Sequence, residues 1–177
     1  MDHQWVAAEL NHGDLASLYV ASTRLQGTLR LEGVLAAIRE IVMNLLGVEA
    51  MAVLKHDSET STLSMIDSFG DVPAHCLDLS LGEDPIDGVA ASGDCYFRGV
   101  ISAGRDRGEA RSPVACVPLK VDGAVWGAIV IYRLLPQKER LVALDFQLFE
   151  LLSAQAGVAL HCCELRGERA AVNEGSA

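Results

Sequence analysis

Residues Pro113 to Leu134 read PVACVPLKVDGAVWGAIVIYRL. Two apolar runs flank the pair Asp122-Gly123. An Asp-Gly pair in that setting is the strongest short-range hairpin signal, because both central turn positions need positive φ. The second arm, Ala124 to Tyr132, carries almost no polar residue. A strand with one wet face would alternate, so this arm is expected to be covered on both faces. A central hairpin buried on both sides needs a layer above and a layer below. One of those layers can enclose a pocket.

The flanking sequence supplies both layers. Downstream, a long helix is expected from about Glu139 to Glu168. One stripe of it, Leu141, Leu144, Leu148, Leu151, Gln155, Val158, Cys162 and Leu165, steps by three and four. A second stripe, Val142, Phe146, Phe149, Ser153, Ala156, Leu160 and Cys163, does the same. Two stripes call for two surfaces, one the sheet and the other the first helix or a second copy of the chain. Upstream, a helix is expected from about Asp14 to Leu29, with Asp14 as N-cap. A second runs from about Leu31 to Leu46, closed by Gly47. The period then changes to two. Ala50–Lys55 and Thr62–Phe69 read as strands joined by the polar turn HDSETS. Between residues 71 and 112 the pattern is irregular: a short extended piece at Leu77–Leu81, a short helix at Pro85–Ser92, a strand at Cys95–Ile101, then the loop SAGRDRGEARS.

Composition narrows the function classes. At 177 residues the chain reads as one domain able to bury roughly 70% of its unfolded surface. The 14 basic and 24 acidic residues leave a net charge of −10, which disfavours nucleic acid and anionic membranes as partners. No apolar run approaches the roughly 18 residues of a membrane span, and MDHQWVAAEL lacks a secretory pattern. The five cysteines, Cys76, Cys95, Cys116, Cys162 and Cys163, are odd in number and form no CxxC pair. That argues against a disulfide framework and against structural zinc, and a cytoplasmic location is expected.

Three stretches in order carry a family resemblance. LSLGEDPIDGVAASGDCYFRGV, VACVPLKVDGAVWGAIVIYRL and ALDFQLFELLSAQAGVALHCCEL are similar to the middle, the hairpin and the closing helix of GAF domains. The resemblance spans about Leu15 to Leu165. It implies an α/β sandwich: a GAF-like antiparallel sheet of five to six strands, terminal helices on one face, and loops and short helices over the other. The expected domain is 13–168, with a 1–12 extension and a disordered tail at 169–177. The resemblance also implies a signalling role, with a small-molecule ligand, a partner protein, or both. Fold alone does not select among these.

Chemistry within that frame is sparse. Bilin-binding members use a cysteine beside a histidine, whereas Cys95 is followed by Tyr96 and His75-Cys76 has the reverse order. Haem or iron would have to use His75, Cys76, Asp78, Asp94 and Cys95, which are irregularly spaced. Sulfoxide-reducing members place a cysteine in a Gly-Val-Cys-Gly stretch that reads Gly88-Val89-Ala90 here, although Cys76, Cys95 and Cys116 could meet. Cyclic-nucleotide binders carry an Asn-Lys-x-Phe-Asp-Glu motif that is missing here. No GxSxG, HExxH, Walker or GxGxxG pattern occurs. No cofactor is therefore assigned, and the role expected is non-enzymatic. The candidate pocket residues are Phe69, Ile86, Cys95, Phe97, Cys116, Pro118 and Ala128. The candidate homodimer interface is Leu15, Leu18, Leu144, Leu148 and Leu151. The alternative is a ligand-free adaptor, whose pocket would be filled from above by Leu77, Leu79, Leu81, Ile86 and Val89. A methionine-sulfoxide-reductase-like thiol enzyme is a further reading.

Overall fold

A computed structural model describes residues 11–28, 30–60, 62–73, 79–80, 85–98 and 113–174. Helices α1 (His12–Gln26) and α2 (Leu31–Asn44) precede strands β1 (Val48–Asp57), β2 (Thr62–Phe69) and β3 (Leu79–Ser80). Helix α3 (Ile86–Ser92) and strand β4 (Tyr96–Phe97) lead to the hairpin β5 (Ala115–Val121) and β6 (Ala124–Leu134). The chain closes with α4 (Ala143–Leu151), a π-helical turn (Leu152–Ala156) and α5 (Gly157–Glu174). The strands form one sheet in the order β3-β2-β1-β6-β5-β4, and every pairing is antiparallel.

The hairpin turn is as read. Asp122 (φ 49) and Gly123 (φ 83) both adopt positive φ, as the two-residue turn requires. β6 lies between β1 and β5, which explains its unbroken apolar run. β4 pairs with β5 only at Ala115 and Cys116, so at Pro118 the strand has the single partner β6. A residue without an N–H is tolerated there.

The helix-side core joins Leu25, Val34, Ile38 and Val42 to Met51, Val53, Val117, Leu119, Ile129 and Ile131 of the sheet, and to Leu148, Phe149, Leu152 and Leu160. Several expectations change at element ends. Asn11, not Asp14, is the N-cap of α1. Its Oδ1 accepts from Asp14 N at 3.0 Å, while Asp14 Oδ2 accepts from Asn11 N at 3.0 Å, a reciprocal capping box. The described part of the expected Cys95–Ile101 strand pairs only at Tyr96 and Phe97. The terminal helix begins at Ala143 rather than Glu139, because Asp145 Oδ2 accepts the Val142 N–H at 2.7 Å and sets the start there. α5 runs through Glu174, so residues 169–174 of the expected disordered tail are helical.

Leu148 belongs to this core with no exposed surface, which removes it from the expected dimer interface. Leu18, Leu144 and Leu151 are half-buried against the same core. Of the five proposed interface residues only Leu15 is exposed. The stripe from Leu141 to Leu165 divides along its length. Its first part is used within the chain, and its last part leaves Val158 and Leu165 exposed.

Candidate functional site

The sheet has two unlike faces. On the face away from α1, α2, α4 and α5, the buried side chains are Ala50, Ala52 and Leu54 of β1, Leu63 of β2, Cys116 of β5, and Ala128, Val130 and Tyr132 of β6. Ile86, Val89 and Ala90 of α3 cover part of it, with Met65, Val72 and Tyr96 at the margin. The centre of this face is built from small groups. Ala128 sits across from Leu54 on one side and Pro118 on the other, and Cys116 sits across from Val130. Sheet alternation puts Pro118 with Cys116 on this face.

Four of the seven sequence-derived pocket residues thus share one face: Ile86, Cys116, Pro118 and Ala128. Phe69 and Phe97 do not. Both pack into the opposite, helix-side core. Phe97 lies 5.1 Å from Phe146 and 5.5 Å from Phe149, ring centre to ring centre. The reason is local: β4 is an edge strand whose two residues face opposite layers, so Tyr96 takes the α3 side and Phe97 the helix side. The i, i+3 spacing of Phe146 and Phe149 was the available signal for this aromatic cluster. Tyr132 and Ala52, absent from the candidate set, are on the α3 face by strict alternation in β6 and β1.

Cys95 is exposed as a residue, and Cys116 is buried. Burial of the sulfur pushes the Cys95 thiol up to about 11, against the pull of Lys120. Burial also pushes the Cys116 thiol up, with the nearby Cys95 adding to it. Both are held as thiols at neutral pH, which works against thiolate chemistry. Of the metal set, His75, Cys76 and Asp78 lie outside the described residues, and Asp94 and Cys95 are exposed. Among the described residues no three His, Cys, Asp or Glu side chains gather as a metal site. A shallow open depression of about 500 Å³ lies elsewhere, between the end of α2 (Met43, Asn44) and the loop Leu135–Val142.

The helix face carries a polar cluster that sequence reading did not single out. In β6 a bulge opposes Leu119 and Lys120 with Gly127 and Val125, leaving Trp126 unpaired. Such an extra residue re-aims its side chain, and Trp126 turns to the helix side. Its Nε1 donates to Glu164 Oε2 of α5 at 3.0 Å. Lys55 Nζ of β1 donates to Glu164 Oε1, and His161 Nδ1 is 3.8 Å from Oε2. Burial works to raise the Glu164 pKa, but the Lys55 and Trp126 hydrogen bonds outweigh it and hold the carboxyl below its usual range. A depressed folded pKa means that Glu164 stabilises the fold above the unfolded glutamate pKa. That contribution is lost as pH falls through the lower folded value. With Trp5 changed to Phe, so that Trp126 is the sole tryptophan, its emission is expected to shift red as pH falls below the ordinary glutamate range. Glu164→Gln is expected to show the shifted emission at all pH values. Identical profiles for the two proteins would refute the link.

The element order, the hairpin and the two covered faces point to one family, and residues 30–160 match the GAF domain family model. This chain is a GAF domain protein. Among solved structures it is similar to the GAF domain of a phosphoenolpyruvate-protein phosphotransferase from Acinetobacter (15% identity, TM-score 0.69, 90% of this chain and 99% of that one). It is also similar to residues 122 to 287 of a methyl-accepting chemotaxis protein (22%, 0.58, 82% and 97%). A third similar structure is free methionine-R-sulfoxide reductase from Neisseria meningitidis in complex with its substrate (14%, 0.60, 89% and 95%). At these identities the likeness is one of fold. No curated protein matches this chain. GAF domains are generally regulatory sensory domains. Among the described residues no helix of this one is long and apolar enough to cross a membrane.

Proposed function

We propose that this GAF domain is a cytoplasmic, non-catalytic regulatory module that binds a small molecule on the α3 face of its sheet and pairs with a second copy. The observation that carries the ligand reading is side-chain size. Apart from Ala115, the sheet residues buried on the helix face are large (Val48, Met51, Val53, Val117, Leu119, Ile129 and Ile131), whereas Ala50, Ala52, Cys116, Pro118 and Ala128 line the centre of the α3 face. Small groups under a separate covering helix leave room for an apolar or aromatic ligand body, with Tyr96 and Tyr132 as polar handles. Native mass spectrometry of freshly purified protein is expected to show a discrete excess mass. Ala128→Leu is expected to abolish that mass while the circular dichroism spectrum is retained. Protein that carries no excess mass, and that binds nothing from a nucleotide and amino-acid panel, would defeat this reading.

The pairing rests on apolar surface left on α1 and α5. Leu15, Tyr19 and Val20 of α1 and Val158 and Leu165 of α5 are exposed, with Tyr19 at 74%. α1 lies against α4 and the π turn, and Ser22 Oγ donates to Gln155 Oε1 at 2.9 Å. Light scattering is expected to give twice the chain mass. Tyr19→Asp with Val158→Asp is expected to give the single mass with unchanged helicity. A monomeric wild type would end the pairing proposal and leave this surface to a different protein.

One observation favours a second reading, the ligand-free adaptor. Ile86 and Val89 of α3 point into the sheet and are buried there. If the rest of the cover does likewise, the chain fills its own pocket, and Ala128→Leu would then overpack the face at a cost of about 1–3 kcal/mol.

A further inference from the structure

The end of the β5–β6 hairpin is gripped from both sides. α3 packs on β5 and β6, and the π turn and α5 pack on β5 from the opposite layer. The grip falls on a few residues. On the α3 side, a Cβ placed on Gly93, the left-handed cap of α3 (φ 71), would lie 3.4 Å from both Lys120 Cε and Val125 Cγ2. On the helix side, a Cβ on Gly157 would lie 2.6 Å from the Lys120 carbonyl oxygen and 2.7 Å from its nitrogen. The α5 backbone therefore rests directly on the Lys120 backbone. The residue after Val125 is Trp126, which the bulge turns to Glu164 of α5. Lys120 and the Val125–Trp126 pair thus each touch both layers.

The helix they touch follows the π turn Leu152–Ala156. A π turn holds one residue more than an α turn, and such turns are single-turn insertions in α-helices. If Leu152–Ala156 rewound as α-helix, every later residue would rotate by about 100° relative to α4. Gly157 on Lys120, and Glu164 on Trp126 and Lys55, are contacts that only the present register satisfies.

We infer that the hairpin end is a two-sided clamp that holds the π register of the terminal helix, so that displacing α3 from Val125 and Lys120 frees α5 to rotate and turns the exposed Val158 and Leu165 to a new direction. The clamp deepens the sensor reading, because a ligand under α3 would act on it, but it is tested without a ligand.

The experiment is hydrogen exchange with mass spectrometry on the full chain carrying Trp5→Phe, read together with Trp126 emission. Val125→Ala loosens the α3 side only. It is expected to speed exchange of the α5 amides from Gly157 to Glu164 by about fivefold or more and to shift Trp126 emission, with α2 unchanged. Glu164→Gln is expected to do the same, and the double variant to add little to either, since both open one latch. Deleting Ala154, an exposed residue of the π turn, leaves α geometry in the present register. In that background Val125→Ala is expected to leave α5 exchange unchanged. Unaltered α5 exchange in Val125→Ala, or effects of Val125→Ala and Glu164→Gln that multiply independently, would overturn the clamp. Either result would leave ligand binding, read by native mass spectrometry, as a separate question.

Discussion

Asp145→Ala is expected to lower unfolding stability by about 3–5 kcal/mol. Asp145 is a buried charged residue at 1% exposure, and its carboxylate does two jobs at the start of α4. Oδ1 accepts from Lys138 Nζ at 2.6 Å, and Oδ2 accepts from Val142 N at 2.7 Å. Removing it leaves an ammonium at 18% side-chain exposure without its partner, and it uncaps the helix. An unpaired buried charge costs much more than the pair contributes. The lost cap adds about 1 kcal/mol. Urea unfolding should show a lower midpoint with an unchanged slope. Asp145→Asn keeps acceptor capacity for the Val142 N–H but not the charge, and should fall between. If Asp145→Ala cost less than about 1 kcal/mol, the Lys138 ammonium would have to reach water readily, and the account of this corner would fail.

Leu148→Asp is expected to prevent folding rather than to separate a dimer. Leu148 has no exposed surface and packs in the helix-side core beside Phe149 and Leu152. Truncating such a leucine to alanine costs about 2–5 kcal/mol, and an unpaired carboxylate in the vacated space adds several more. The sum rivals the roughly 5–15 kcal/mol that holds a domain of this kind together. Circular dichroism should show loss of the cooperative transition. Leu148→Ala should still fold with a lower melting temperature. A folded, monomeric Leu148→Asp protein would place Leu148 at a subunit interface and overturn the packing described here.

The contrast between Leu148 and Leu15 shows where reading the chain reaches its limit. Both sit on clear helical stripes, and periodicity says only that each faces something apolar. Which helix lies beneath a stripe is set by the crossing of α1 over α4 and the π turn, and one helical period carries no record of that. The same limit separated the pocket candidates. Cys116, Pro118 and Ala128 came together because β5 and β6 are long strands, where the period of two holds from Leu119 and Gly127 outward, past the bulge at Trp126; Ile86 meets them from α3. Phe97 went to the other layer because a two-residue edge strand has too little pattern to fix its register. Trp126 was hidden for a related reason. A bulge shifts the alternation by one residue, and nothing in VDGAVWGAIV marks the shift before the partner strand is known.

The hairpin, the helix–helix–strand–strand order and the family were therefore legible in the chain itself, because turn chemistry and apolar period act between neighbours in sequence. The division of the sheet into a helix face of large side chains and an α3 face with small ones at its centre, the Lys55–Trp126–Glu164 cluster, the π turn over Lys120 and the burial of Asp145 and Leu148 were decided only by the tertiary structure. Each joins residues far apart in the sequence, and their meeting depends on how layers pack rather than on any local preference.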